Sequence, residues 1–169
     1  MKEFHQAGKG KGKKILFVGE SPSARGWHGG YACRGENGNT LPTGKRINEL
    51  FRPFGLCVDE CGFAELCQRI LKNRKDMRRR ARNDWPVFLH NLKKSKSKLI
   101  IVSGVETTRI FSELCGTPLS MGEMKKAKLG SKTYSVLPIY HPSPINPKGA
   151  ERNRGIFKAR GKALRILLK

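Results

Sequence analysis

Lys14-Ile-Leu-Phe-Val-Gly19 and Lys98-Leu-Ile-Ile-Val-Ser-Gly104 are the two stretches on which the fold turns. Each is a short, nearly continuous apolar run bounded by lysine and glycine. That pattern suits a strand buried on both faces, as in a parallel sheet covered by helices. Working outward, Thr133-Tyr-Ser-Val-Leu-Pro-Ile-Tyr140 reads as another strand, with Pro138 restricting it to an edge or a late-strand position. Gly62-Phe-Ala-Glu-Leu-Cys67 is a weaker strand candidate. Between these runs the spacing turns helical. Thr43 offers an N-cap ahead of Ile47, Leu50, Phe51 and Phe54. Asp84 is expected to cap a second helix, with Pro86 in its first turn and Val87, Phe88 and Leu92 on one face. A short helix from Thr107 to Leu114 ends at Gly116, and a tail helix runs from Arg154 to Lys169, with Ile156, Phe157, Ala163, Leu164, Leu167 and Leu168 facing inward. Strands alternating with helices predict an α/β fold with a mainly parallel four-stranded sheet.

The chain has 169 residues, a one-domain length. The expectation is a flexible Gly/Lys-rich arm over residues 1–14 and one α/β domain over residues 15–169. Thirty-five Lys and Arg against 13 Asp and Glu leave a net charge of +22. A field of that size favours a polyanionic partner. No apolar run approaches the ~20 residues of a spanning helix, and no helix pairs a basic face with a large apolar one, so a membrane surface is disfavoured. Nucleic acid is the expected partner. The five cysteines include no C-x2-C pair, which leaves a zinc finger or ribbon without support and predicts reduced structural thiols in an intracellular setting, cytoplasmic or nucleoid-associated.

Two segments carry unusual chemistry at the expected carboxyl ends of strands, where α/β sheets place their sites. Gly19-Glu-Ser-Pro-Ser23 supplies a carboxylate, and His141-Pro-Ser-Pro-Ile145 supplies an imidazole. Proline stiffens both. This ordered pair, with Pro42-Thr-Gly-Lys-Arg-Ile-Asn-Glu-Leu50 and the Ser103-Gly104 strand end between them, resembles the uracil-DNA glycosylase superfamily over roughly Lys14 to Leu168. The resemblance implies a three-layer α/β/α sandwich and hydrolysis of the base–sugar bond in DNA; separately, no metal or other cofactor is expected, and the chain is expected to be a monomer. Glu20 matches the carboxylate of the G-E-x-P motif, and His141 matches the family histidine. Ser21, expected to be a base-binding residue, stands where the best-known branch has its water-positioning Asp, so the duty falls to Glu20 or to water alone.

The pyrimidine-reading asparagine of several branches has no clear match; Glu65 occupies about that place. Trp27 and Tyr31 are the nearby aromatics for stacking a base, Tyr31 being taken as the base-binding one. The iron–sulfur branches use four cysteines, and here Arg69 and Trp85 stand near such positions. The loop from His141 to Arg154 is expected to invade DNA, with Ile145 as its wedge, Ser143 on a phosphate oxygen, and Lys148, Arg152 and Arg154 meeting phosphates. Each residue also has a plain structural alternative: Glu20 as a cap or ion pair, His141 as a core histidine, Ile145 as a buried strand-end residue. The competing function class is a DNA-binding, damage-sensing protein without strong activity.

Overall fold

The computed structural model describes residues 5–6, 14–22, 33 and 37–169. Four parallel strands form the centre: β2 (Ile15–Gly19), β3 (Cys61–Glu65), β4 (Leu99–Ser103) and β6 (Lys132–Ile139). The short β1 (His5–Gln6) and β5 (Lys125–Leu129) add antiparallel edges. The sheet order is β1-β3-β2-β4-β6-β5, six strands where the sequence predicts four. β1 lies inside the expected basic arm and pairs with β3, while residues 1–4 and 7–13 lie outside the described residues. Pro138 is a late-strand residue: β6 is flanked by β4 and β5, and its pairing with β5 stops at Val136.

Alternation along each central strand divides the core in two. Leu16, Val18, Ile100, Val102 and Val136 face helices α2 (Met77–Lys94) and α3 (Val105–Cys115). Ile15, Phe17, Leu99, Ile101, Leu137 and Ile139 face α1 (Pro42–Phe51) and α4 (Pro147–Leu168). This is the predicted three-layer α/β/α sandwich. Aromatic contacts anchor both layers. Phe51 meets Phe17 and Phe157 edge-on at 5.8 and 5.6 Å, and Trp85 stacks on Phe88 at 4.9 Å. Such rings contribute through both buried area and geometry. Trp85 is therefore a packing residue of the α2 layer.

The layers also position a crevice. From β2 the chain crosses to β3 through α1, then returns past β2 to β4 through α2 on the opposite face. Right-handed crossovers in opposite directions require helices on opposite faces. The connections after β2 and β4 diverge in this way, and a gap opens at their carboxyl ends.

The starts of the helices differ from the expectation. α2 begins at Met77, not at Asp84, and carries Pro86 in its interior. Pro86 is exposed, as is Arg82, whose carbonyl loses the bond, so water can satisfy it. Asp84 instead accepts the Gln68 backbone N–H at 2.8 Å. α1 begins at Pro42 with Leu41 at the cap position, which places Thr43 inside the helix without a capping bond. α4 begins at Pro147, not at Arg154, capped by the Asn146 side chain, which accepts the Gly149 N–H at 3.0 Å. A Cβ at Gly149 would lie 2.3 Å from that side chain, so only glycine leaves room for this cap.

Candidate active site

A cleft of about 660 Å³ lies at the carboxyl ends of the central strands, lined by Glu20, Ser21, Glu65, Ser143 and Ile145 together with His141. Its volume falls in the usual range of roughly 300–1,000 Å³ for small-molecule sites. Phe17 and Phe63, stacked at 5.6 Å, contribute an apolar wall. The expected carboxylate and imidazole are thus brought to one place, from β2 and β6. Tyr31 and Trp27 lie outside the described residues.

Glu20 follows β2 directly. Its carbonyl accepts the Cys67 N–H at 3.0 Å, and the Gly19 carbonyl accepts the Leu66 N–H at 3.0 Å, so the β2–β3 ladder continues past both strands. The Glu20 carboxylate is held by Arg74. Arg74 Nε donates to Oε1 at 3.0 Å, and its Nη2 donates to Oε2. Arg74 sits in the 3-10 turn Arg74–Asp76 ahead of α2, and also lines the cleft. The sequence offers no signal for this pair beyond the basic stretch that contains it. Below Glu20, burial pushes the Cys67 thiol up to about 12, aided by the charges of Asp84 and Glu20. Cys67 therefore stays a protonated packing group.

His141 is positioned by a residue the sequence reading missed. Asn153, fully buried on α4, accepts the Tyr140 N–H at 2.9 Å and donates to the Tyr140 carbonyl at 2.7 Å. That satisfies the backbone immediately before His141. Pro142 behind it is buried. Gly104, in the left-handed region at φ 107°, donates its N–H to the Ile139 carbonyl at 2.8 Å and joins the ends of β4 and β6. The His141 ring keeps an open face, yet desolvation by the surrounding walls lowers its pKa from the ordinary 6.5. The Glu20 charge opposes that shift, and the Arg74 charge reinforces it. Near neutral pH the imidazole is uncharged and can donate one N–H.

The segment beyond His141 is a tight turn, not a long loop. The Ser143 carbonyl accepts the Asn146 N–H at 3.0 Å, and Ser143 Oγ accepts the Ile145 N–H at 3.4 Å. The turn lifts Ile145 to 91% exposure, which removes the reading of it as a buried residue. Lys148, Arg152 and Arg154 lie on the opening turns of α4, correcting their placement in a loop. Lys148 and Arg152, four apart, share a side of the helix. Arg154 faces elsewhere, beside Arg46, Glu49 and Pro142. The Arg152 guanidinium lies 5.0 Å from the Tyr140 ring centroid.

Among the described residues, no group of three His, Cys, Asp or Glu side chains comes together to hold a metal ion, and the described cysteines are not joined in disulfides. No described helix is long and apolar enough to cross a membrane. Chemically, the cleft combines a carboxylate, a neutral imidazole donor and an apolar aromatic wall. No curated protein matches the chain. Among protein families, the model of the Uracil DNA glycosylase superfamily matches residues 6–165.

Proposed function

Since the chain belongs to the uracil DNA glycosylase superfamily, a family of DNA glycosylases, we propose that it hydrolyses the N-glycosidic bond of a deaminated base flipped out of DNA, with uracil as the base. The observation that carries this reading is that Glu20 and His141, on β2 and β6 ends far apart in sequence, line one cleft. A base within a duplex is unreachable, so the nucleotide must be extruded at a cost of a few kcal/mol. In the cleft, the bond from C1′ to the base nitrogen breaks and its electron pair leaves with the base. Water bonds to C1′ and loses a proton, and the base is protonated as it departs.

Glu20 counters the positive charge that develops on the sugar and accepts a hydrogen bond from the attacking water. His141 donates to the base oxygen as it becomes anionic. Ser21 adds a small hydroxyl beside Glu20. Glu65, when ionised, accepts from an N–H on the base edge and donates nothing. Ile145 fills the space that the extruded nucleotide leaves, while Lys148, Arg152 and Ser143 meet the backbone. Arg154 contacts DNA from another side of α4. The enzyme acts as a monomer.

The test is incubation with single- and double-stranded oligonucleotides carrying uracil, hypoxanthine or xanthine, followed by alkali. Abasic product without prior strand scission is expected from uracil. Release of only hypoxanthine or xanthine would keep the reaction and change the base. A borohydride-trapped covalent adduct would overturn hydrolysis. One observation favours a second reading, a DNA-binding protein of little activity: Arg74 neutralises Glu20 in the free protein. Tight binding to the same oligonucleotides without base release would establish it.

A further inference from the structure

Arg74 and Glu20 are unequally exposed partners. The Arg74 side chain is 80% exposed and that of Glu20 is 21% exposed. The guanidinium thus reaches over the cleft from its mouth, where a docking DNA backbone arrives, and its carboxylate partner lies deeper. Glu106, a second acidic side chain whose charge acts on Arg74, is already held by Arg109, whose Nε donates to it at 3.0 Å. While Arg74 holds Glu20, the two charges cancel where a sugar cation would form, and each carboxylate oxygen already accepts one hydrogen bond from the guanidinium. A guanidinium binds phosphate in the same forked geometry as carboxylate. An exposed ion pair contributes little, so exchanging one anion for the other is inexpensive.

We propose that Arg74 is a phosphate-sensing positioning residue: a DNA phosphate beside the extruded nucleotide draws it off Glu20 and so uncovers the carboxylate. This rests on the glycosylase reading above, and it couples chemistry to correct docking. The switch acts through the phosphate and not through the base.

Two measurements on the full chain test it. Binding to uncleaved duplex should show a log–log salt slope shallower by about 0.9 in Arg74→Gln, the loss of one phosphate contact. Arg74→Lys should restore most of that slope. Single-turnover excision should slow on the order of 10²-fold in the wild type when the phosphates flanking the target are neutral methylphosphonates. Arg74→Gln should have lost most of that sensitivity. Equal sensitivity in both proteins, or an unchanged salt slope, overturns the exchange and leaves Arg74 a static brace. An inactive wild type whose slope still falls on Arg74→Gln sinks the glycosylase reading while supporting the phosphate contact.

Discussion

Past β6, the buried Asn153 grips both backbone polar groups of Tyr140, and His141 follows on a backbone with little freedom. Past β2, the backbone is equally well paired, but the Glu20 side chain is tied to an exposed arginine. The difference matches what each group has to do. A hydrogen-bond donor must be aimed at one oxygen within a narrow angle. A negative charge opposing a diffuse cation acts over distance and tolerates displacement. Direction is built into the core, whereas charge is left exchangeable at the surface.

The largest effects should fall on the reacting groups themselves. Glu20→Gln and His141→Ala should each lower the single-turnover rate at saturating enzyme by about 10²–10⁴-fold, with DNA affinity little changed. Unchanged rates in both would place the chemistry elsewhere. Next come the supports, where the contrast can be broken outright. Asn153→Ala leaves the partly buried Tyr140 N–H and carbonyl without their partner and should cost about 2–4 kcal/mol, read by urea unfolding. Arg74→Gln should cost less than about 1 kcal/mol, as exposed pairs do. Comparable losses would mean that both ends are held in the same way.

The ends of this comparison were unequally legible in sequence. β2 and β4 were readable because full burial on both faces requires unbroken apolar runs. The motif carboxylate and histidine were readable as the residues that follow such runs. α2 was misjudged because only Met77 and Ala81 mark the apolar side of its first two turns, among arginines, and Pro86 resembles a helix start. β5 escaped because only Ala127 and Leu129 of its five residues are buried, the rest being lysines, with Lys126 and Lys128 on the exposed side. Asn153 and Arg74 escaped for another reason. Each acts on a residue distant in sequence, Arg74 on Glu20 and Asn153 on Tyr140, and such pairings exist only after the sheet has formed.

The same comparison has a titration consequence. Because desolvation holds the His141 pKa below 6.5 in the folded protein, the unfolded chain takes up a proton that the folded one refuses. Stability should therefore fall as pH drops below about 6.5 and level off once pH passes the folded value. Removing the Glu20 charge with Glu20→Gln should lower the pKa further, because that carboxylate supports the imidazolium. Arg74→Gln should raise it. An NMR titration of the His141 ring reads both signs, and shifts in one shared direction would show that the two strand ends are not electrically coupled as described.

The smallest effect on the fold is expected where the cleft reaches furthest into solvent. Ile145, 91% exposed, buries almost nothing in the free protein, so Ile145→Ala should change stability by no more than about 0.5 kcal/mol. Its role appears only against a duplex. There, an apolar side chain that fills the vacated stack offsets part of the unstacking cost of a few kcal/mol. Recovering about 1.4 kcal/mol of it corresponds to roughly tenfold in excision rate. A single strand has no stack to fill. Ile145→Ala should therefore slow excision from duplex uracil by about that factor and leave the single-stranded rate nearly unchanged. The turn that presents Ile145 gives the control: Ser143→Ala removes the Oγ acceptor of the Ile145 N–H, loosening the wedge without deleting it. It should reproduce the duplex-specific loss in weaker form. Equal losses on both substrates would make Ile145 a contact for the strand, not a wedge in the stack.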